Sequence, residues 1–323
     1  PLWYSLDLSL AHSVSVSQKK ELIRLMVAHG ADIHVKGYLG INILQATSST
    51  PLLKFLLTEF KFSNEEIWTA FTTAGKPLRF FIKYGLQVSK DMVEYLFHRA
   101  YDVKFAKFLM TKYHVSVNCV DKEGLMPIHY AVIYNRLEKA KFLLKHGADV
   151  NSRSCSGEIP LMFTNSLEIF DFLIEHGADV YAVDQQQQQR NVLRWQVEIA
   201  GSLATVKTLV EQYHFDVNQT DKAGISLLML ATGRGDLDIA KYLVENGANV
   251  NAVDNGGRNA LFYLYENNEP DEKLLQYLIA QGVNVNNLDK SGKNVLFYAT
   301  KYIDLLLKAG ADATVVADDG KQY

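Results

Sequence analysis

The sequence predicts an all-α solenoid of about ten stacked helix–turn–helix units joined by β-hairpin or turn fingers. Three observations predict it. First, Asp121 to Asn151 (D-K-E-G-L-M-P-I-H-Y-A … F-L-L-K-H-G-A-D-V-N) aligns without a gap on Asp221 to Asn251 (D-K-A-G-I-S-L-L-M-L-A … Y-L-V-E-N-G-A-N-V-N). Second, Gly124 to Gly157 and Gly224 to Gly257 are each 33 positions apart. Third, apolar residues recur at helical spacing in the second half of each unit: Ala140, Leu143 and Leu144; Phe170, Leu173 and Ile174; Ala240, Leu243 and Val244; Leu275, Leu278 and Ile279.

Each element has a physical cause. One unit of this length cannot bury its apolar stripe alone and must stack on its neighbours. The glycine after each stripe (Gly30, Gly147, Gly177, Gly247, Gly310) suits a helix C-terminus, where a left-handed backbone costs glycine little. The D-x-x-G that follows has the chemistry of a turn, with aspartate opening it and glycine taking positive φ. Fingers are therefore expected near Asp121, Asp184, Asp221, Asp254 and Asp289. Leu143 and Leu243 are predicted to lie between repeats, and their neighbours Lys139 and Lys241 to be solvated.

The pattern D-x-x-G-x-T-P-L-H-x-A followed by L-L-x-x-G-A-D-V-N closely resembles the ankyrin repeat. On that alignment residues 1–62 hold units one and two, the first entered mid-way at Pro1-Leu2 and the second carrying Gly40. Residues 63–120 hold divergent units three and four, which keep helix pairs but lose the glycine finger and the T-P-L-H equivalent. Ser63-Asn64-Glu65-Glu66 reads there as a capping box. Residues 121–316 hold regular units five to ten, and residues 317–323 the start of a further, truncated unit, so both ends read as a trimmed array. Asn replaces the family's Thr at Asn42, Asn191, Asn259 and Asn294, which keeps a side-chain hydrogen bond in altered geometry. Gln185 to Gln189 lengthen the finger of unit seven, and Glu266 to Pro270 add residues between the helices of unit nine.

Composition narrows the function. With 33 basic and 36 acidic residues scattered along 323, the net charge is −3, which gives no basic face for nucleic acid. Two cysteines, Cys119 and Cys155, exclude a disulfide framework and fit a reducing, cytoplasmic compartment. No apolar run approaches the roughly 20 residues that span a bilayer. No phosphate-loop, H-E-x-x-H or C-x-x-C pattern occurs, so no catalytic residue, metal site or cofactor is expected. His29, His146 and His176 occupy one slot in units one, five and six, with adjacent units about 10 Å apart by helix-layer spacing, too far to share a zinc at about 2 Å per bond. Tyr130, Trp195, Tyr263 and Tyr298 share another slot, expected to be core.

The resemblance implies a protein partner held by finger tips and the exposed parts of the inner helices, which form a concave groove. Carried over residue by residue, those slots are Lys122, Glu123, Leu125, Ile133 and Tyr134 in unit five and Arg153 and Glu158 in unit six. They continue with Lys222, Ile225 and Arg234 in unit eight, Asn255 and Arg258 in unit nine, and Lys290, Lys293, Lys301 and Tyr302 in unit ten. Leu125, Ile133 and Tyr134 form an apolar cluster, and the tips from Lys222 to Lys301 lean basic. The leading expectation is a non-catalytic protein–protein interaction scaffold. The alternative is the targeting region of a larger enzyme, such as a secreted bacterial effector acting in the host cytosol, with its catalytic domain outside this chain.

Overall fold

The computed structural model describes residues 15–36, 41–47, 49–74, 77–185, 190–200, 202–266 and 270–322. The expected mid-repeat start at Pro1-Leu2, the Gly40 turn, Gln186 to Gln189 and Asn267 to Glu269 lie outside them. The chain divides into two compact units, residues 1–92 and 93–323. Among the described residues the secondary structure is helical, with no sheet and only the isolated antiparallel bridges Val183–Asn191, Thr220–Ser226 and Val316–Gln322.

The first unit holds α1 (Val16–Ala28), α2 (Thr50–Glu59), α3 (Asn64–Ala74) and α4 (Leu78–Lys83). Two of these helices, α1 and α3, start where side chains satisfy the free N–H groups of a first turn. Ser15 and Gln18 form a reciprocal capping box on α1. Ser63 and Glu66 form the expected box at α3, with Ser63 N–H donating to Glu66 Oε2 at 2.7 Å and Glu66 N–H to Ser63 Oγ at 3.2 Å. Leu53, Leu56 and Phe81 are fully buried in this unit.

The second unit opens within α5 (Lys90–Arg99), followed by α6 (Val103–Tyr113). Then come the pairs α7 (Pro127–Ile133) with α8 (Leu137–Lys145), and the 3-10 turn Pro160–Phe163 with α9 (Leu167–Glu175). Next, α10 (Val192–Trp195) runs into a π-helical turn, Gln196–Ala200, before α11 (Leu203–Glu211). The array continues through α12 (Leu227–Gly233) with α13 (Leu237–Glu245), α14 (Ala260–Glu266) with α15 (Glu272–Ala280), and the 3-10 turn Val295–Phe297 with α16 (Ile303–Lys308). Leu143, Phe170, Leu173, Leu243, Leu275 and Leu278 all have zero exposure, so the i, i+3, i+4 stripe faces the core as its spacing requires.

The V-N asparagines join successive repeats. Asn151 Nδ2 donates to the Gly177 carbonyl at 2.9 Å, and its Oδ1 accepts from Asp179 N–H at 2.8 Å. Asn218 makes the same two bonds to Gly247 and Asn249, Asn251 to Gly282 and Asn284, and Asn286 to Gly310 and Asp312. The acceptor glycine of each bridge sits at positive φ, as Gly177 does at 86°, just past the helix whose C-terminus it closes. In two units a histidine takes that left-handed position instead, His114 at φ 54° and His214 at φ 55°. The substituted Asn residues also cap as expected: Asn191 Oδ1 accepts from Arg194 N–H, Asn259 from Leu261 N–H and Asn294 from Leu296 N–H.

Replacing Leu143 or Leu243 by alanine is expected to lower unfolding free energy by about 2–5 kcal/mol, the cost of an unfilled core site. Urea denaturation of both variants checks it; midpoints equal to wild type would mean the repeats are out of register.

Candidate partner-binding surface

Each finger is a turn folded around one oxygen atom. Asp121 Oδ1 accepts from the N–H groups of Glu123 and Leu125. Asp221, Asp254 and Asp289 do the same two and four residues on, and Ser154 Oγ does so in unit six. The second carboxylate oxygen of Asp121, Asp254 and Asp289 accepts a tyrosine hydroxyl, from Tyr130, Tyr263 and Tyr298 in turn. Burial and then the bond to Asp121 push the Tyr130 hydroxyl up to about 12. The same causes act on Tyr298, also pushed up to about 12. Tyr130, Trp195 and Tyr263 are buried as their shared slot predicts, whereas Tyr298 is 40% exposed.

Fingers also bond to one another. Cys155 N–H donates to the Glu123 carbonyl, Gln185 to Ser156, Asn255 to Ala223, Lys290 to Gly256 and Asp318 to Ser291. This contact is why glycine is needed at the fourth turn position: a Cβ on Gly124 would stand 2.6 Å from the Cys155 nitrogen. The first helices brace the next finger. His129 Nδ1 accepts from Met126 N–H, so Nε2 carries the proton and faces the Glu158 carbonyl at 3.3 Å. Burial pulls the His129 imidazole down to about 4, which keeps it neutral. Arg194 takes the corresponding place in unit seven, reaching the Ile225 carbonyl and the Asp221 carboxylate. His98 bonds the Cys119 and Leu125 carbonyls, so divergent unit four does carry a bracing histidine that its lost T-P-L-H pattern concealed.

The predicted contact residues separate into three groups. Lys122, Glu123, Tyr134, Arg153, Lys222, Arg234, Asn255, Lys290 and Lys301 are exposed, while Leu125, Ile133, Ile225, Arg258, Lys293 and Tyr302 are half-buried. Glu158 is a correction: it is 7% exposed, accepts a hydrogen bond from Ser154 Oγ and lies 3.8 Å from Arg190 Nη2, so it belongs to the finger's interior. A glutamate follows the turn glycine there, and the serine in the aspartate slot turns it inward. Several members are already bonded within the fold. Arg153 donates to the Gly157 and Val183 carbonyls, Asn255 to Lys222, and Arg258 pairs with Asp254 and Glu266. Lys222, Lys290 and Lys301 have no carboxylate within 4.0 Å among the described residues.

Lys139 is the second correction. Instead of being solvated it is 1% exposed, and its Nζ donates to the carbonyls of Phe97 (2.8 Å) and His98 (2.7 Å) in the last turn of α5. Arg136 Nη1 donates to the next two, Arg99 and Ala100, at 2.9 Å each. Two cations thus close a helix C-terminus, where the helix dipole favours positive charge. Burial, then the Arg136 charge, pull the Lys139 ammonium down to about 7. Sequence reasoning also missed Tyr95, Arg99 and Tyr101. The Arg99 guanidinium lies 4.2 Å from the Tyr95 ring centre and 5.1 Å from Tyr130; Arg136 lies 5.1 Å from Tyr101 and 4.8 Å from Tyr134. The spacing of Tyr95 and Arg99, one helical turn apart, was the available signal.

Comparison with known proteins agrees with this geometry. The family described as "Ankyrin repeats (3 copies)" matches residues 96–184 and 193–271, just over half of the chain. The chain belongs to the ankyrin-repeat family. An ankyrin repeat protein of fowlpox virus is 30% identical over 139 residues, which are 42% of this chain and 95% of the viral protein. Alpha-latrocrustotoxin-Lt1a of Latrodectus tredecimguttatus is 25% identical over 195 residues, 60% of this chain but 10% of the toxin. A palmitoyltransferase of Schizosaccharomyces pombe is 43% identical over 53 residues, 16% of this chain and 8% of that protein. The chain therefore spans about a tenth or less of two of these relatives and nearly the whole of the third. Ankyrin repeats are in general a protein-binding and non-catalytic architecture. Among the described residues no helix is long and apolar enough to cross a membrane, and no three His, Cys, Asp or Glu side chains group to hold a metal ion. His29, His146 and His176 each place Nδ1 against the carbonyl four residues back, at their helix ends.

The depressed Lys139 pKa makes a signed prediction. Between about 7 and the ordinary 10.5, the unfolded chain holds a proton that the folded chain has released, so stability from this group rises with pH. That contribution is complete above 10.5 and is lost as pH falls through about 7. Denaturation of wild type and Lys139→Met at both ends of this window should show wild type gaining on the variant as pH rises. A pH-independent difference would refute it.

Proposed function

We propose that the chain is a non-catalytic protein–protein interaction scaffold, acting in the cytoplasm, that holds its partner through finger tips and first-helix ends. The observation that carries the reading is Tyr134: it is 47% exposed at the end of α7, with Leu125 and Ile133 half-buried in the same repeat. Large, rigid and amphipathic, an exposed tyrosine beside apolar neighbours has the composition of an interface anchor. Lys222, Lys290 and Lys301 add basic tips with no internal carboxylate among the described residues, suited to steering an approaching protein rather than to holding it. No cofactor or nucleic acid enters this reading.

A second reading is favoured by one observation. The similarity to a palmitoyltransferase covers 8% of that enzyme, so repeats like these occur inside much larger catalytic proteins. On that reading the array is the targeting region of a larger enzyme, such as a secreted effector, and its partner is the substrate or an anchor beside it. Both readings assign the same surface to binding.

The test starts from a partner obtained by affinity capture. Tyr134→Ala and Leu125→Ala are each expected to weaken binding by more than about 1 kcal/mol. Lys290→Glu should slow association and flatten its salt dependence, with a smaller effect on dissociation. Lys141→Ala, on the exposed face of α8 and paired only with Glu138, should bind as wild type. Loss of binding in Lys141→Ala with Tyr134→Ala unaffected would move the partner to the opposite face.

A further inference from the structure

We infer that the tyrosine–arginine patch of repeats four and five is a docking site for an acidic peptide segment of the partner. The inference rests on the scaffold reading above and gives the partner a chemistry. The patch runs Tyr95, Arg99, Tyr130, Tyr134, Arg136, Tyr101, with each guanidinium over two rings at 4.2–5.1 Å. Three of its rings are open to solvent, Tyr95 at 41%, Tyr134 at 47% and Tyr101 at 80%.

Among the described residues its arginines are not paired with acids. Of the others, Arg24 pairs with Glu59, Arg190 with Asp184, Arg194 with Asp221 and Arg258 with Asp254, whereas Arg153 and Arg234 bond backbone carbonyls. Arg99 and Arg136 have no carboxylate within 4.0 Å among the described residues. The nearby Asp121 carboxylate is occupied by two backbone N–H groups and the Tyr130 hydroxyl. Arg136 gives Nη1 to the Arg99 and Ala100 carbonyls, which fixes the plane of the fork. Two guanidiniums thus flank the Tyr130 and Tyr134 rings with no carboxylate bonded to either among the described residues, a pair of donors that an Asp- or Glu-bearing segment complements. Guanidinium forks take carboxylates with two parallel hydrogen bonds, and the flanking rings cover the apolar parts of such a segment. Single-stranded nucleic acid also stacks on aromatic and arginine groups, but the acidic balance of the chain disfavours an extended polyanion.

Selection of a short randomised peptide library on the intact protein tests the inference, with counter-selection on Arg99→Gln. Enrichment of Asp and Glu is expected, together with loss of at least about tenfold in affinity for the winning peptide in Arg99→Gln and in Tyr101→Ala. Both positions are exposed, so circular dichroism should show these variants folded. The affinity should also fall as salt is raised. Neutral or basic winners, no enrichment at all, or binding by both variants as tight as by wild type overturns the inference. So does tighter binding of an oligouridylate probe than of the acidic peptide. A captured partner that still binds Arg99→Gln and Tyr101→Ala but not Lys290→Glu overturns the acidic patch alone and leaves the scaffold reading standing.

Discussion

The asparagine that ends a repeat, present as Asn151, Asn218, Asn251 and Asn286, sets where the next repeat sits. Its amide donates to one backbone carbonyl of the following unit and its carbonyl accepts one N–H, so a single side chain sets two distances at once. The Asp or Asn two residues before it holds it in place: Asp149 Oδ1 accepts from Asn151 N–H, and Asn249 Oδ1 from Asn251 N–H. The motif is therefore a chain of local turns, each orienting the side chain that reaches across. Asn64 makes a reciprocal pair with Gln87 inside the first compact unit, donating to its carbonyl and accepting its N–H. These bonds lie at the surface and contribute modestly one by one. Their effect is register, which lets the apolar stripes of adjacent units meet.

Where the asparagine is lost, the contact changes in kind. Tyr181 stands in its place at the end of unit six, and the following unit has His214-Phe215 where Gly-Ala would be. The Tyr181 and Phe215 rings stack with centroids 5.5 Å apart, so an aromatic pair replaces the polar bridge. Around the same junction the first helix of unit seven runs into a π-helical turn, Gln196–Ala200. Buried Gln196 there donates back to the Met162 and Thr164 carbonyls of the preceding unit. Irregular helix and altered bridge thus occur at the same junction.

The fold was legible because it depends on residues with few substitutes. Glycine at positive φ against a neighbouring backbone, aspartate folding a turn and leucine at a fixed helical spacing leave the same letters at each repeat. Finger positions and buried stripe residues such as Leu143 and Leu243 follow directly. The binding surface was less legible, for reasons visible at Lys139, Glu158 and Tyr95. Helical periodicity gives the direction of a Cα–Cβ bond but not where a four-carbon stem ends. Lys139 leaves α8 and finishes against the carbonyls of α5, forty positions back. Glu158 points inward because a serine, not an aspartate, opens its finger. Tyr95 and Arg99 lie in a unit where the motif has eroded, so no slot marked them for attention.

Those misread cations connect core and surface. In units five and eight the first helix closes on a left-handed residue: Asn135 N–H donates to the Val132 carbonyl and Gly235 N–H to Thr232. The residues after α5, Ala100 and Tyr101, are not in that conformation, and four carbonyls from Phe97 to Ala100 take side-chain donors instead. Lys139 supplies two from within and Arg136 two from the edge. Because Nη1 of Arg136 is held from below, its guanidinium plane is fixed before any partner arrives, and the Tyr101 and Tyr134 rings lie against a cation that cannot swing away. A surface whose side chains are ordered in the free protein loses less conformational entropy on association. The side-chain closure of this one helix end therefore accounts for both the buried lysine and the fixed arginine at the centre of the exposed aromatic patch.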